Sequence, residues 1–191
     1  MATDNVNEVQ KLYVAYFSRP ADPGGLAFWV GQMQTNPNAY QEIAQAFANS
    51  TEYQATYGGL DNRALVEEVY DNLFGRPGDS AGVDFWVNAL NNGHLNIGNV
   101  VTGIAAGALN NDRIAFNAKV GVSTLFTSRI DTEAEMAAYR GAATQIAVDY
   151  IANVRSFETG ATYSQPGLID DAIARIVGTP SSLDFDTMAM L

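Results

Sequence analysis

The sequence predicts an all-α protein, a multi-helix domain in which two tandem helix-turn-helix-helix units are followed by further helices. Three observations lead to this prediction. Apolar residues recur at helical spacing along most of the chain, proline and glycine stand where those patterns stop, and a long motif occurs twice. No two segments show the alternation of polar and apolar residues that a pair of strands requires.

The repeated motif organises the first half of the chain. Residues 12–30 align without a gap on residues 69–87, at a constant offset of 57 residues. The identical positions include both tryptophans of the chain, so chance does not explain the match. The identical pairs that carry the alignment are Tyr13 and Tyr70, Phe17 and Phe74, Arg19 and Arg76, Pro20 and Pro77, Asp22 and Asp79, Gly25 and Gly82, Phe28 and Phe85, and Trp29 and Trp86.

Each copy of the motif predicts two helices joined by a tight turn. The proline ends the first helix, because the residue before a proline disfavours the α conformation. The aspartate caps the second helix, and the glycine lets the two helices approach closely. The Phe-Trp pair is then expected to meet the aromatic residues of the first helix. The residues given these structural roles are Arg19, Asp22, Gly25 and Trp29 in the first copy and Arg76, Asp79, Gly82 and Trp86 in the second.

The remaining chain predicts further helices. We divide it into a first repeat unit (1–59), a second unit (60–110), a C-terminal helical part packed on the repeats (111–178) and a linker or truncated tail (179–191). One long helix is expected to open at a capping box at Thr132 and reach about Val154, followed by a loop over residues 156–165. A last helix ends at Gly178. Because each unit leaves an apolar face uncovered, we expect the repeats to share one core.

The composition excludes several classes of function. With 21 Asp and Glu against 10 Lys and Arg, the net charge of −11 argues against a nucleic-acid partner. The chain has no cysteine and no apolar run of the roughly 20 residues that cross a bilayer, so we expect no disulfide and no membrane insertion. The N-terminus has neither the basic nor the apolar region of a signal peptide.

Nothing in the sequence indicates catalysis. His94 is the only histidine and lies in a predicted turn, and the chain has no nucleophile elbow, P-loop or dinucleotide fingerprint. We therefore predict that the protein is not an enzyme. Calcium is the one cofactor left open, with Asp22 and Asp79 as candidate ligands, since Ca²⁺ takes oxygen donors. Helix capping is the favoured interpretation of both aspartates.

The aromatic residues of the motif also have two interpretations. Trp29, Trp86, Tyr13 and Tyr70 could stack on sugar rings, which present apolar C–H faces, but their helical spacing favours core packing. A glycan site would then lie at a junction between units or in the loops, where tyrosines and arginines could form a polar, partly aromatic rim. The candidates for that rim are Tyr57, Arg63, Arg113, Tyr139, Arg140 and Tyr163.

The repeat resembles a known family. Residues 73–77, Leu-Phe-Gly-Arg-Pro, are followed by Asp79, Gly82 and a Phe-Trp pair, and residues 13–29 match the same pattern closely. This resembles the Gly-Arg-x-x-Asp-x-x-Gly-Leu-x-Tyr-Trp repeat of a bacterial domain family of unknown function. The resemblance covers roughly residues 6–109, and Ser18 departs from it where the family has glycine. The family occurs in S-layer proteins, haemolysin-type exoproteins and some surface enzymes.

The resemblance implies an N-terminal helical domain of a secreted, type I-exported protein whose calcium-dependent body lies elsewhere. In S-layers a similar domain holds the lattice to the O-antigen of lipopolysaccharide. We therefore expect a non-catalytic module at the cell surface that binds polysaccharide or lipopolysaccharide and meets copies of itself in a lattice. The alternative is an assembly or spacer module of a secreted exoprotein, without a glycan site.

Overall fold

The computed structural model describes residues 2–179 and confirms the predicted fold class. This part of the chain forms twelve α-helices and one 3₁₀ turn, with no strand among the described residues. No helix in the same range is both long enough and apolar enough to span a membrane. The predicted linker or tail falls outside the described residues, apart from Thr179.

Each repeat unit begins with two helices that flank the motif's turn, and two more helices follow them. The first unit contains α1 (Ala2–Phe17), α2 (Pro23–Thr35), α3 (Ala39–Ala48) and α4 (Thr51–Tyr57). The second contains α5 (Asn62–Phe74), α6 (Ser80–Asn91), α7 (Val100–Gly107) and the beginning of α8 (Asn110–Ser128). Helix α4 is additional to the helix-turn-helix-helix unit that the sequence predicted.

The predicted helix caps are present in both units. Asp22 accepts a hydrogen bond from the Gly25 backbone amide at 2.7 Å, and Asp79 accepts one from Gly82 at 2.8 Å. The glycines also have the expected packing role. A Cβ at Gly25 would lie 2.2 Å from the Tyr13 hydroxyl, so any larger residue would push the tyrosine away from the α2 N-terminus.

The two units share one hydrophobic core, as expected. Helix α1 packs against helices of both units and against α8. Phe47 of α3 contacts several aromatic rings, including Tyr13 at 4.9 Å and Trp29 at 5.7 Å between ring centroids. Buried aliphatic residues of α5 and α7 continue this core without interruption. Neither unit could bury its apolar faces alone, which is the behaviour of repeat proteins.

The C-terminal part builds a second core. Its elements are α9 (Glu133–Ala138), the 3₁₀ turn (Gly141–Ala143), α10 (Thr144–Ala152), α11 (Phe157–Tyr163) and α12 (Pro166–Val177). Helix α8 joins the two cores, because Val120 belongs to the core of the repeats whereas Val122 and Phe126 belong to the second. The C-terminal part therefore packs on the repeats through a helix that both share.

Two expectations for the C-terminal part are wrong. The long helix from Thr132 stops at Ala138, because Arg140 is extended and Gly141 has a φ of +56°. The helix resumes as α10. The expected loop at residues 156–165 contains α11, which opens with a capping box between Ser156 and Thr159. Pairing through a threonine rather than a glutamate or glutamine conceals this box from sequence rules.

Candidate functional site

The arginine of the first motif is held inside the protein. Arg19 donates to both carboxylate oxygens of Glu52, at 2.7 and 2.9 Å, and to the Pro20 carbonyl at 3.1 Å. Its guanidinium lies 5.4 to 5.6 Å from the ring centroids of Tyr13, Phe17 and Tyr139. Burial disfavours the charged form, but the hydrogen bonds to Glu52 raise the pKa of Arg19 above its ordinary value. The arginine therefore fixes the turn to the start of α4.

The C-terminal part covers this turn. The Tyr139 hydroxyl donates to the Pro20 carbonyl at 2.8 Å, and burial raises the pKa of that hydroxyl. Gln10, fully buried in α1, accepts from the Ala21 amide at 3.1 Å and donates to the Thr127 hydroxyl at 2.8 Å. These polar contacts satisfy the carbonyl of Pro20 and the amide of Ala21 within a buried turn, and they position the C-terminal part over the first repeat.

An open groove of about 860 Å³ lies where these elements meet. One wall is the turn and the start of α4, with the carboxylates of Asp22 and Glu52, and the other wall is α9 and the 3₁₀ turn. Met136 and Arg140 are exposed on the second wall. The groove is lined by Arg19, Asp22, Pro23, Gly24, Thr51, Glu52, Ala55, Met136, Tyr139, Arg140, Gly141 and Thr144.

The groove combines hydrogen-bonding groups with apolar surface. Carboxylates and hydroxyls accept hydrogen bonds, Arg140 donates them, and the Met136 side chain offers an apolar contact. The volume falls within the range of small-molecule sites and is large enough for a few sugar units. Because a hydroxyl group both donates and accepts hydrogen bonds, this lining offers partners for a hydroxyl-rich ligand.

The second repeat contains the same clamp in a more open setting. Arg76 donates to both carboxylate oxygens of Asp112 at 2.7 Å and to the Pro77 carbonyl at 2.7 Å. The side chain of Arg76 is 41% exposed, whereas that of Arg19 is 9% exposed. Tyr139 of the C-terminal part packs against Arg19, whereas the only ring described over Arg76 is Tyr70 of its own repeat.

The candidate calcium ligands serve as helix caps. The Asp22 and Asp79 side chains accept backbone hydrogen bonds, and the Tyr13 hydroxyl lies 3.4 Å from the second oxygen of Asp22. Within residues 2–179 there is no cluster of three or more His, Cys, Asp or Glu side chains able to hold a metal ion.

Two of the six candidate glycan residues meet in the groove. Tyr139 contributes a buried ring edge, and Arg140 contributes an exposed side chain. In the described part of the chain no ion pair engages Arg140. Tyr139 is 4% exposed and its hydroxyl is bonded to Pro20, so it offers no free ring face to the groove. Tyr139 and Arg140 both lie at the junction between the first repeat and the C-terminal part.

The other four candidates lie elsewhere. Tyr57 is 1% exposed and accepts a hydrogen bond from Asn72, so its assignment to a surface rim is wrong. Arg63 pairs with Asp84, and Arg113 donates to the Ala108 carbonyl at 2.9 Å. The carbonyl of the half-buried Tyr163 accepts from Tyr150, and their rings pack edge to face.

The aromatic residues of the motif divide into two groups. Trp29 and Trp86 are partly buried and pack against the core, which confirms the favoured interpretation. Phe28 and Phe85 were expected to meet the first helix of each unit, and this is wrong because they are 56% and 63% exposed. Sequence reasoning also missed Glu52, since the arginine partners lie outside the aligned motif.

Comparison with known proteins gives one match. The model of a family described as a domain of unknown function (DUF4214) matches residues 2–57 and again residues 44–113. The first match covers α1 to α4, and the second continues through the next repeat to the first turn of α8. No curated protein and no solved structure matches the chain significantly.

Proposed function

The chain belongs to the DUF4214 family of domains of unknown function, and we propose that it is a non-catalytic module attaching a secreted surface-layer protein to cell-surface polysaccharide. The proposed ligand is the O-antigen of lipopolysaccharide, and the proposed location is the extracellular surface. Further copies of the protein would surround each module in a lattice.

The observation that supports this proposal is the groove between the first repeat and the C-terminal part. It has the volume, the mixed polar lining and the open shape that an oligosaccharide segment requires. Its walls are rigid, because Arg19 and Tyr139 are immobilised by hydrogen bonds behind the surface. A preformed site loses little entropy on binding, which matters for a flexible sugar chain.

Weak contacts are sufficient for such a module. A lattice presents many copies to many polysaccharide chains, and the effective concentration of each further contact is then high. The net charge of −11 adds a condition, since an anionic polysaccharide would need a divalent cation between itself and the protein. Calcium therefore belongs in the test as a bridging ion.

The proposal is tested by retention on lipopolysaccharide. The purified protein would be incubated with surface-layer-stripped cells and with extracted lipopolysaccharide, each with and without calcium. Lipopolysaccharide that lacks the O-polysaccharide is the control. Retention that requires the O-polysaccharide supports the proposal, and equal retention on both preparations, or none on either, contradicts it.

A matched pair of variants locates the site. Arg140→Ala removes the exposed arginine of the groove, and Arg175→Ala removes an exposed arginine of α12 with the same change in charge. We expect the first to weaken binding on the order of tenfold, or about 1.4 kcal/mol. The second should leave binding unchanged. Equal effects would mean that net charge, rather than the groove, controls binding.

An assembly module without a glycan site is the second candidate. Ile114 and Leu125 are 47% and 43% exposed, and their spacing of eleven residues places them on one face of α8. These two side chains could both contact a protein partner that lies along α8. Sedimentation at increasing concentration distinguishes the two functions. Self-association without any response to polysaccharide would favour assembly.

A further inference from the structure

Phe28 and Phe85 are the feature of the repeat that the fold does not explain. They occupy the same position in the two motif copies, and their side chains are 56% and 63% exposed. Among the identical pairs of the motif, all of which the structure describes, this is the only pair exposed in both copies.

The other identical pairs have structural roles in both copies. The tyrosine and the first phenylalanine pack in the core, the arginine clamps the turn, the aspartate caps a helix, and the glycine gives room to the tyrosine hydroxyl. An exposed phenylalanine contributes little to stability, because its apolar surface stays in water. A single exposed apolar residue needs no explanation. An exposed phenylalanine at the same position of both motif copies does need one.

Each exposed ring packs against the tryptophan that follows it. Phe28 lies edge-on to Trp29 with ring centroids 4.7 Å apart at 74°, and Phe85 meets Trp86 at 4.9 Å and 81°. The tryptophans are anchored in turn, as the contact of Trp29 with Phe47 at 5.7 Å shows for the first copy. Each unit thus presents an aromatic surface in which an exposed phenylalanine contacts a partly buried tryptophan.

Few charges lie beside the two rings, and Asp84, which precedes Phe85 in α6, is paired with Arg63. Helix α2, which carries Phe28, contains no charged residue in a protein with a net charge of −11. Around Phe85 a shallow depression of about 380 Å³ is lined by Trp86, two asparagines and a histidine, together with Ala89 and Leu95. The polar residues are Asn88, Asn92 and His94. Amides beside an aromatic face suit a neutral, hydroxylated ligand better than a charged peptide.

We propose that Phe28 and Phe85 are two equivalent stacking platforms for sugar rings of one repeating polysaccharide. The apolar C–H face of a sugar ring would lie on each phenylalanine, while neighbouring amides bind its hydroxyls. This inference rests on the proposed function and adds two subsites outside the groove. Two identical platforms on one rigid core fit a polymer that offers the same unit repeatedly, and the second contact then forms at high effective concentration.

The test compares exposed phenylalanines inside and outside the motif. Phe28→Ala, Phe85→Ala and the double variant would be titrated with purified O-polysaccharide and with its short fragments. Phe157→Ala is the matched control, because Phe157 is 72% exposed but lies in α11. We expect each single variant to lose tenfold or more in affinity for the long polymer, and the double variant to lose more. Short fragments should bind each remaining platform with unchanged affinity.

Fluorescence reads each platform separately. The chain has two tryptophans, and each contacts one of the exposed phenylalanines. Trp29→Phe leaves Trp86 as the only reporter, and Trp86→Phe leaves Trp29. We expect both reporters to respond to the polysaccharide, each losing its response when the neighbouring phenylalanine is replaced by alanine.

The outcomes separate this inference from the proposed function. If the phenylalanine variants bind polysaccharide normally while Arg140→Ala binds it weakly, the inference of stacking platforms is contradicted, and the groove remains the proposed binding site. If the double variant loses self-association rather than polysaccharide binding, the platforms contact protein and the inference is overturned. If the wild-type protein binds no polysaccharide, the proposed function fails and the inference fails with it.

Discussion

Position 75 shows why the motif contains glycine before its arginine. Gly75 has a φ of +67°, and Ser18, its counterpart in the first repeat, has a φ of +54°. A residue with a side chain reaches this left-handed conformation at a cost of about 1–2 kcal/mol. Burial raises the pKa of Tyr57 to about 12, and a hydrogen bond with the Ser18 side chain partly opposes this shift, so the serine contacts a buried hydroxyl that glycine would not reach.

Gly75→Ala tests this requirement. A Cβ at Gly75 would lie 2.6 Å from the Arg155 side chain in addition to the conformational cost, so we expect the free energy of unfolding to fall by about 1–2 kcal/mol. Gly121→Ala is the control, since Gly121 is exposed within α8 and has open space around it. That change should raise the free energy of unfolding by about 0.5–1 kcal/mol. Urea denaturation measures both, and effects of the same sign would contradict the explanation.

Lys119 is a buried cation within α8. Its side chain is 1% exposed, and its ammonium group donates to the Ile151 carbonyl at 3.0 Å. Burial, together with the nearby Arg155, lowers the pKa of Lys119 to about 8. The folded protein therefore binds this proton less tightly than the unfolded chain, so protonation below pH 8 reduces stability.

Lys119→Met should remove this pH dependence. Between pH 8 and 10 the unfolded chain holds the lysine proton and the folded protein does not, so the free energy of unfolding of the wild type rises with pH. Above pH 10 the trend reverses, because buried tyrosines such as Tyr53 have raised pKa values and the unfolded chain ionises first. At pH 7 we expect the methionine variant to be more stable by up to about 3 kcal/mol. Urea denaturation at several pH values measures this, and equal slopes would contradict it.

The repeat unit depends on a clamp between its turn and a later helix. The same bidentate pair forms in both units, but Arg19 is buried beneath Tyr139 whereas Arg76 is largely open. Burial removes competing water and adds packing of the arginine stem. The two pairs therefore provide a comparison of one interaction in two environments within a single chain.

Replacing each arginine with alanine should give unequal losses. We expect Arg19→Ala to lower the free energy of unfolding by about 2–3 kcal/mol, since ring contacts and a buried hydrogen-bond network are lost. Glu52 remains partly exposed, which limits the penalty. Arg76→Ala should cost about 1 kcal/mol or less, because solvent screens that pair. Thermal or urea denaturation gives both values, and equal losses would show that burial of the first clamp adds nothing.

Sequence reasoning identified elements whose causes are local. Capping by Asp22, the stop at Pro20 and the clearance at Gly25 depend on residues a few positions apart, and the structure contains all three. It failed where the cause was distant or unusual. The extended backbone at Arg140 interrupts a helix pattern that contains no proline.

The distinction between local and distant causes also explains which residues of the candidate site could be predicted. Tyr139 and Arg140 were proposed as rim residues without any motif, and only folding brings them against α2 and α4. Sequence reasoning missed Glu52 and Asp112, which lie 33 and 36 residues after their arginines. Because these spacings differ, the two carboxylates do not align under the constant offset of 57 residues that relates the two motif copies. Exposure of Phe28 could not be predicted, because helical spacing alone does not tell which side of a short helix is covered.

At the scale of the whole molecule, α8 determines how the protein unfolds. It belongs to both cores, so neither can lose its packing without affecting the other. Gln10 and Tyr139 add polar contacts between the first repeat and the C-terminal part. We therefore expect one cooperative transition for the described part of the chain.

Phe126→Ala tests this cooperativity. Phe126 is completely buried in the second core, and its truncation should cost about 3–5 kcal/mol. Both tryptophans lie in the repeats, so their fluorescence reports only on the first core. We expect the urea midpoint measured by fluorescence to fall together with the midpoint measured by circular dichroism. A fluorescence midpoint equal to that of the wild type would mean that the two cores unfold independently.

The placement of α8 also has a mechanical consequence. At about 1.5 Å per residue, its 19 residues form a strut of about 28 Å that belongs to both cores. Tension between the C-terminal part and the repeats must pass through this strut and through the hydrogen bonds that Gln10 and Tyr139 make beside it. Because these connections join the same two parts of the molecule, we expect them to share the load. In the proposed anchoring role, the force needed to unfold the module in flowing liquid would be higher than its free energy of unfolding suggests.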